Sequence, residues 1–319
     1  MIDVVALGEL LIDFTCLSSD ADGYPTMAAH PGGAPANFLA ALSSFGAKVA
    51  MIGKVGADTF GKLLLTTLQN AGIETKGMIV SDEVFTTLAF VTLDKTGNRE
   101  FSFARKPGAD TCLTCEELDY SLIDEAKLLH FGTLSLTDEP ARSATVKAVE
   151  YARAAGKLIT YDPNLRIPLW KGLAVAKEQL LWGLTQADVV KISDEEVEFL
   201  FDLSPEEGAE YILNNFPARL VFVTCGADGC VFRNRIASGR VPGTRNISVI
   251  DTTGAGDIFG GSAVWKLLQL GKQPENLTEE ELREITSFAC AAAGLSTTKS
   301  GGISSVPNYE EVMSVLTNQ

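Results

Sequence analysis

Short apolar runs alternate with helically spaced ones along this chain. Val4–Leu7, Val49–Ile52, Leu128–Phe131, Leu158–Tyr161, Val189–Ile192 and Leu220–Val223 are brief runs rich in Val, Ile and Leu, and they read as buried strands. Between them the apolar spacing changes to that of helices. Pro35–Phe45 puts Phe38, Ala41, Leu42 and Phe45 on one face. Asp58 opens a second helix carrying Leu64, Leu65 and Leu68, and Gly72 closes it. Ala141–Ala155, Val175–Leu184 and Pro205–Asn214 continue the alternation, and the last third is mostly helical over Ala255–Leu270, Glu279–Thr297 and Asn308–Leu316. Strand–helix alternation from Lys127 onward predicts an α/β fold, a three-layer αβα sandwich around a mostly parallel sheet.

Two segments break this rhythm. Ser18–Gly33 is rich in turn formers. Thr86–Leu93 and Arg99–Ala104 alternate around a polar turn, Asp94–Asn98, which is a β-hairpin signal. The hairpin is too small for a domain. It predicts one domain over residues 1–319 with a β lid formed from about 12–32 and 84–106.

Composition narrows the classes. The 319 residues are 46% hydrophobic and 21% charged, an ordinary globular balance. A net charge of −15 argues against a nucleic-acid partner, which needs clustered Lys and Arg. Any phosphate site must then rest on backbone amides, a metal ion or a few placed cations. No apolar stretch is long enough for a membrane span, and Asp3, Glu9 and Asp13 interrupt the N-terminal run, so a cytoplasmic protein is expected. Six scattered cysteines are not a disulfide framework, and Cys112-x-x-Cys115 stands without a second pair, which makes a poor zinc site. His30 and His130 are too few and too far apart for a histidine mechanism. His130, in an apolar strand, reads as a packed, hydrogen-bonded residue.

Three glycine-rich segments compete as phosphate sites. Gly56–Leu63 nearly spells a P-loop, but Leu63 stands where a magnesium-binding Ser or Thr is needed, so it reads as a helix start. Thr224–Gly229 follows a strand, and Gly226 and Gly229 by themselves mark only a tight turn. Asp251–Gly261 is the most informative. Strand-like Ile247–Ile250 precedes it and a helix follows, so the amides around Gly254, Ala255 and Gly256 would form an anion hole at a helix N-terminus. Phe259 replaces the last glycine of a dinucleotide fingerprint. Asp257 in the first turn is chemically suited to take a proton from an attacking hydroxyl, although an acid there is often only a dipole partner.

These residues together resemble the ribokinase family, also called the PfkB carbohydrate kinases. Asp251–Asp257 matches the family's D-T-x-G-A-G-D signature, and Gly32–Asn37 with Gly53–Gly61 matches its N-terminal sugar-binding signature. The resemblance covers nearly the whole chain. It is strongest to the fructokinase branch, through Ala6–Phe14, Tyr161–Arg166 with Pro168–Trp170, and Lys191–Glu196. It implies an ATP-dependent sugar kinase that acts on a hydroxymethyl oxygen, D-fructose to fructose 6-phosphate, with Asp257 as base and Gly254, Ala255 and Gly256 as anion hole. Asp13, Gly32, Gly33 and Asn37 would hold the sugar, and Arg105 and Arg166 would reach the sugar or its new phosphate. Lys191, Thr224, Gly226, Gly229 and Cys290 would border ATP, and Glu196 would organise Mg2+. Ser193 replaces the Asn of the family's N-x-x-E motif, and Cys290 replaces an adenine-side Asn. A K+ site would use Asp251, Thr253, Ser296, Gly301 and Ser305, unless the Lys299 ammonium makes the ion unnecessary.

The acceptor stays open within this framework, since another ketose, 2-keto-3-deoxygluconate, ribose or aminoimidazole riboside fits it too. A nicotinamide dehydrogenase would need the fingerprint that is missing after the first strand, and a non-catalytic sugar sensor would not need Asp257 and its glycines. Expected partners are small molecules, the sugar and ATP, with a homodimer through the lid as a further expectation.

Overall fold

The computed structural model describes residues 1–93 and 99–317. The chain begins with β1 (Ile2–Leu7), β2 (Leu11–Ser19) and β3 (Pro25–Gly32), then α1 (Ala34–Ser44) and β4 (Val49–Gly56). Next come α2 (Thr59–Asn70), β5 (Ile73–Ser81), β6 (Leu88–Leu93), β7 (Arg99–Ala104), α3 (Tyr120–Glu125) and β8 (Ala126–Gly132). The middle holds α4 (Ala141–Ala154), β9 (Leu158–Asp162), α5 (Leu173–Gln186), β10 (Val189–Ser193), α6 (Asp194–Phe201) and α7 (Pro205–Asn215). The rest is β11 (Leu220–Thr224), β12 (Cys230–Asn234), β13 (Ser238–Val241), α8 (Ala255–Leu270), α9 (Glu279–Ser296) and α10 (Tyr309–Thr317).

Nine strands form one sheet in the order β13-β12-β11-β10-β9-β8-β1-β4-β5. The ladders from β5 to β11 are parallel, and the β11–β12 and β12–β13 pairs are antiparallel. Parallel strands need cover on both faces, and the side chains of β1 show how it is supplied. Val5 and Leu7 join a core with Ala144, Ala148, Leu180 and Ile212 of α4, α5 and α7. Val4 and Ala6 join another with Phe38, Leu39 and Leu42 of α1 and Leu64 and Leu68 of α2. The sheet is thus the middle layer of three, as the alternation predicts. No helix among the described residues is long and apolar enough to cross a membrane.

A second sheet of four strands, β3-β2-β6-β7, stands apart and combines antiparallel β2–β3 and β6–β7 pairs with a parallel β2–β6 pair. The expected turn Asp94–Asn98 lies outside the described residues. Ser18–Gly33 is largely strand, with only a short turn near Asp20–Gly23, because β3 pairs with β2 from Leu11↔Gly32 outward. Ile247–Ile250 is not a strand; Val249 and Ile250 are 61% and 66% exposed, so no ladder or core claims them. The near-P-loop is the start of α2, where the Asp58 carboxylate accepts from the amides of Phe60 and Gly61.

Candidate active site

A cleft of about 910 Å³ runs across the carboxyl ends of the central strands and under the second sheet. Ligands favour this edge in open α/β sheets. Asp257 lies on its wall, in the first turn of α8. Gly254 precedes that helix with φ 78°, a left-handed conformation suited to glycine, and a Cβ there would stand 3.0 Å from the Cα of Gly302. The turn therefore packs directly on the loop after α9.

Three elements converge on Asp257. From α1, Asn37 Nδ2 donates to Asp257 Oδ2 at 2.9 Å, while the buried Asn37 Oδ1 has no hydrogen-bond partner. From β10, the Lys191 ammonium donates to Asp162 Oδ2 on neighbouring β9 at 3.0 Å. That ammonium also lies 2.9 Å from where a Cβ on Gly256 would stand, so it sits at the anion-hole turn. From the loop after β9, Arg166 lines the cleft. Burial pushes the Asp257 carboxyl up to about 7, Asp162 adds to the rise, and Asn37, Lys191 and Arg166 oppose it. Burial works against the charge on Lys191, but Asp162, Glu196 and Asp257 outweigh it and hold its pKa above the ordinary lysine value.

The sugar-side residues predicted from sequence come together at one end of the cleft, where Asp13, Gly33 and Asn37 line the wall. Gly32 is next to Asp13, whose Oδ2 occupies the space a side chain would need. Burial raises Asp13 to about 6, with Arg166 opposing and Asp251 adding to the rise. Glu9 also lines this end and was not singled out by the sequence. It is 3% exposed, accepts from the Ala34 amide at 2.8 Å, and is pushed up to about 7 by burial. The acid in the Gly8-Glu9-Leu10 turn after β1 was the available signal.

Arg105 is placed differently from the sequence expectation. Its guanidinium turns into the protein, donating through Nε to Asp110 Oδ2 at 2.8 Å, through Nη1 to Thr137 Oγ1 at 2.7 Å and through Nη2 to the Leu134 carbonyl at 2.8 Å. Only 6% of the residue is exposed. The short Lys106–Pro107–Gly108 link after β7 carries the chain straight back to Asp110, which captures the charge.

Glu196 is likewise held by backbone. It accepts from Leu165 N at 2.7 Å and from Ser193 N at 2.9 Å, while Ser193 Oγ accepts from Glu196 N, a capping box at the start of α6. Among the described residues no group of three or more His, Cys, Asp or Glu is arranged to hold a metal ion. Thr224, Gly226, Gly229, Ser193, Lys191 and Cys290 line the same cleft, around the ends of β10 and β11 and the face of α9. Burial pushes the Cys290 thiol up to about 12.

The two loops expected around a monovalent ion do meet. Asp251 accepts from Thr253 N at 2.9 Å, from Thr253 Oγ1 at 2.7 Å and from Gly301 N at 3.0 Å. Ser296 and Ser305 are buried nearby in sequence terms, but their hydroxyls donate to the carbonyls of Ala293 and Gly302. Lys299 points to Glu311 at 3.6 Å, which directs its ammonium to the surface. His130 is a core residue, stacked on Phe38 at 3.7 Å and bonded to Thr160 at 3.0 Å, and burial lowers it to about 3.

The sheet, covered by helices on both faces, sets an acid and a glycine turn at a helix N-terminus on the wall of a cleft large enough for a nucleotide, an arrangement suited to phosphoryl transfer. The pfkB family carbohydrate kinase model matches residues 1–309, and the chain belongs to that family. It is 41% identical over 317 residues to Fructokinase-1 of Zea mays, covering 98% of this chain and 97% of that one. The solved fructokinase of Xylella fastidiosa with bound ATP superposes with a TM-score of 0.91 at 31% identity, over 100% of this chain and 99% of that one. A fructokinase double mutant of Vibrio cholerae, in fructose, ADP and potassium ion bound form, gives a TM-score of 0.87 at 29% identity, over 99% and 98% of the two chains.

Proposed function

We propose that this chain is an ATP-dependent fructokinase that transfers the γ-phosphoryl group of MgATP to O6 of D-fructose, with Asp257 as general base. The observation that carries the reading is the position of Asp257. Its carboxylate stands where the Asp13–Gly33 end of the cleft meets the Thr224–Cys290 end, beside the N-terminal amides of α8. The fructokinase names of the similar proteins support fructose as the acceptor.

The chain's own groups divide the work. Asp13 and Asn37 bind and orient the sugar, and Asn37 also fixes the rotamer of Asp257. Asp257 accepts the hydroxyl proton as the oxygen attacks; a base near pH 7 is matched to that task. The Gly256 amide in the first turn of α8 and the Lys191 ammonium beside it face the negative charge that spreads over the phosphoryl oxygens, and the Ala255 amide, which donates to the Thr252 carbonyl at 3.3 Å, would turn to the phosphoryl group when the nucleotide binds. Arg166 has no ion-pair partner among the described residues and is available to the sugar phosphate. With both Glu196 oxygens bound to amides, magnesium would be carried mainly by the nucleotide phosphates and water, and it supplies charge neutralisation there. The corner where Asp251 accepts from the Gly301 amide brings a carboxylate to the loop after α9, a hard oxygen donor of the kind K+ takes, and replacing sodium by potassium at constant ionic strength should raise the rate several-fold; a flat response rejects the ion. Leu17 on β2 and Tyr24 in the turn before β3 are exposed, which supports pairing of two lids.

A coupled ADP-release assay over a panel of ketoses, aldoses and ribosides tests the function. Fructose should give the highest kcat/KM, and efficient turnover of another sugar with negligible fructose turnover would overturn the assignment.

A further inference from the structure

Asp162 is a buried carboxylate, 5% exposed, that none of the roles above uses directly. It ends β9, and the parallel β9–β10 register, Val190 opposite Tyr161, sets Lys191 beside it. One oxygen accepts from the Lys191 ammonium at 3.0 Å and the other from the Asn164 amide at 3.2 Å. The flanking backbone is fixed as well, because Thr133 Oγ1 donates to the Pro163 carbonyl and Glu196 receives the Leu165 amide. Asp162 is therefore a fixed anchor, with one oxygen held by the Asn164 amide and the other holding the Lys191 ammonium against the Gly256 turn. An unpaired lysine there would swing toward the open cleft, since its four-carbon stem is flexible.

We propose that Asp162 is a positioning residue for phosphoryl transfer, anchoring the Lys191 ammonium beside Gly256 where the transferred group arrives. The inference rests on the kinase reading above. It deepens that reading by making the donor-side cation on β10 depend on a carboxylate at the end of the neighbouring strand β9. The same pair brackets Asp257 electrostatically. The groups facing Asp257 are Asn37 from α1, Asp162 from β9, Arg166 from the following loop and Lys191 from β10, with Glu196 of α6 acting on Lys191. Asp162 disfavours the ionised base and Lys191 favours it.

The two partners should thus act in opposite directions on the pH profile. Activity falls as pH drops through the pKa of the base. Asp162→Asn removes a negative charge, so the acidic limb of kcat should move down by about one pH unit, the order of one nearby charge. Lys191→Met removes a positive charge, so the limb should move up. Asp162→Asn should also raise the KM for MgATP and lower kcat at least about tenfold, as for a lost transition-state contact, while calorimetric fructose affinity stays within about twofold. Rescue by Asp162→Glu, in part, is expected because the carboxylate is restored.

The parent enzyme is measured first. A parent inactive on every sugar of the panel overturns the kinase reading and the inference with it. An active parent whose variants lose rate equally at all pH values, with both limbs unmoved, overturns the inference alone. Should Asp162→Asn fail to fold in a thermal melt, an upward limb in Lys191→Met still supports the proposal, and an unmoved limb there rejects it.

Discussion

Arg105→Met tests whether this arginine belongs to the framework or to the ligand. The guanidinium makes an ion pair with Asp110 at 2.7 Å, and the two side chains are only 3% and 1% exposed. Burial works against the arginine's charge, but Asp110, Glu9 and Asp138 outweigh it and hold its pKa above the ordinary guanidinium value. Methionine fills much of the same volume and leaves the Asp110 carboxylate buried with Thr87 as its remaining side-chain donor among the described residues. Breaking a buried pair by removing one partner costs about 3–5 kcal/mol, because the remaining charge is uncompensated. At about 2 °C per kcal/mol for a chain of this size, Tm should fall by roughly 6–10 °C. Adding Asp110→Asn to the variant should restore part of the loss, since the stranded charge is then gone. The assay is a thermal melt of parent, single and double variants, with the KM for fructose measured on each. A melt within about 1 °C of the parent, as for an exposed pair, together with a large rise in KM, would refute the framework role and place Arg105 on the ligand.

Two further outcomes follow from the sugar end. Glu9 has a raised pKa in the folded protein, so its charge is disfavoured there; stability that is present below pH 4.5 is lost as pH rises toward about 7. Glu9→Gln should therefore stabilise the apo protein above pH 7, by an upper limit of roughly 3 kcal/mol, and change little below pH 5; equal melting shifts at both ends would contradict this. Gly33 has φ 120°, and a Cβ there would lie 2.5 Å from the Glu9 carbonyl oxygen. Gly33→Ala should cost more than about 1 kcal/mol and weaken fructose binding at least tenfold in calorimetry; a variant matching the parent in both would show that the loop can shift.

The layers were legible because strands buried on both faces leave continuous apolar runs, and the α8 helix was bounded by Gly254 and Gly271. β5 was not legible, since Glu74, Thr75 and Lys76 interrupt its apolar positions at the edge of the sheet. β12 and β13 were hidden behind the Gly226–Gly229 turn, where a short antiparallel return carries no helix to announce it. Val249 and Ile250 misled in the opposite sense, because β-branched residues in an exposed loop look like a strand when their exposure is unknown. At the site, local signatures named Asp257 and its glycines. The Lys191–Asp162 contact spans 29 residues and the Asn37–Asp257 contact 220, so only the fold reveals them. The same is true of Arg105, whose partner Asp110 is five residues away but whose other acceptors come from the segment after β8.

The most direct test of the account is Asp257→Asn, with kcat and fructose affinity measured on the same preparation. Asparagine keeps the shape and can still accept from Asn37, so the site stays assembled and the helix start is preserved. It cannot take the hydroxyl proton. The expected result is a fall in kcat of about 10²–10⁴-fold, the worth of a positioned acid–base group, with an unchanged melt and fructose binding within a few-fold. A kcat within about threefold of the parent, too small for lost proton transfer, would contradict the assignment of Asp257 as the base.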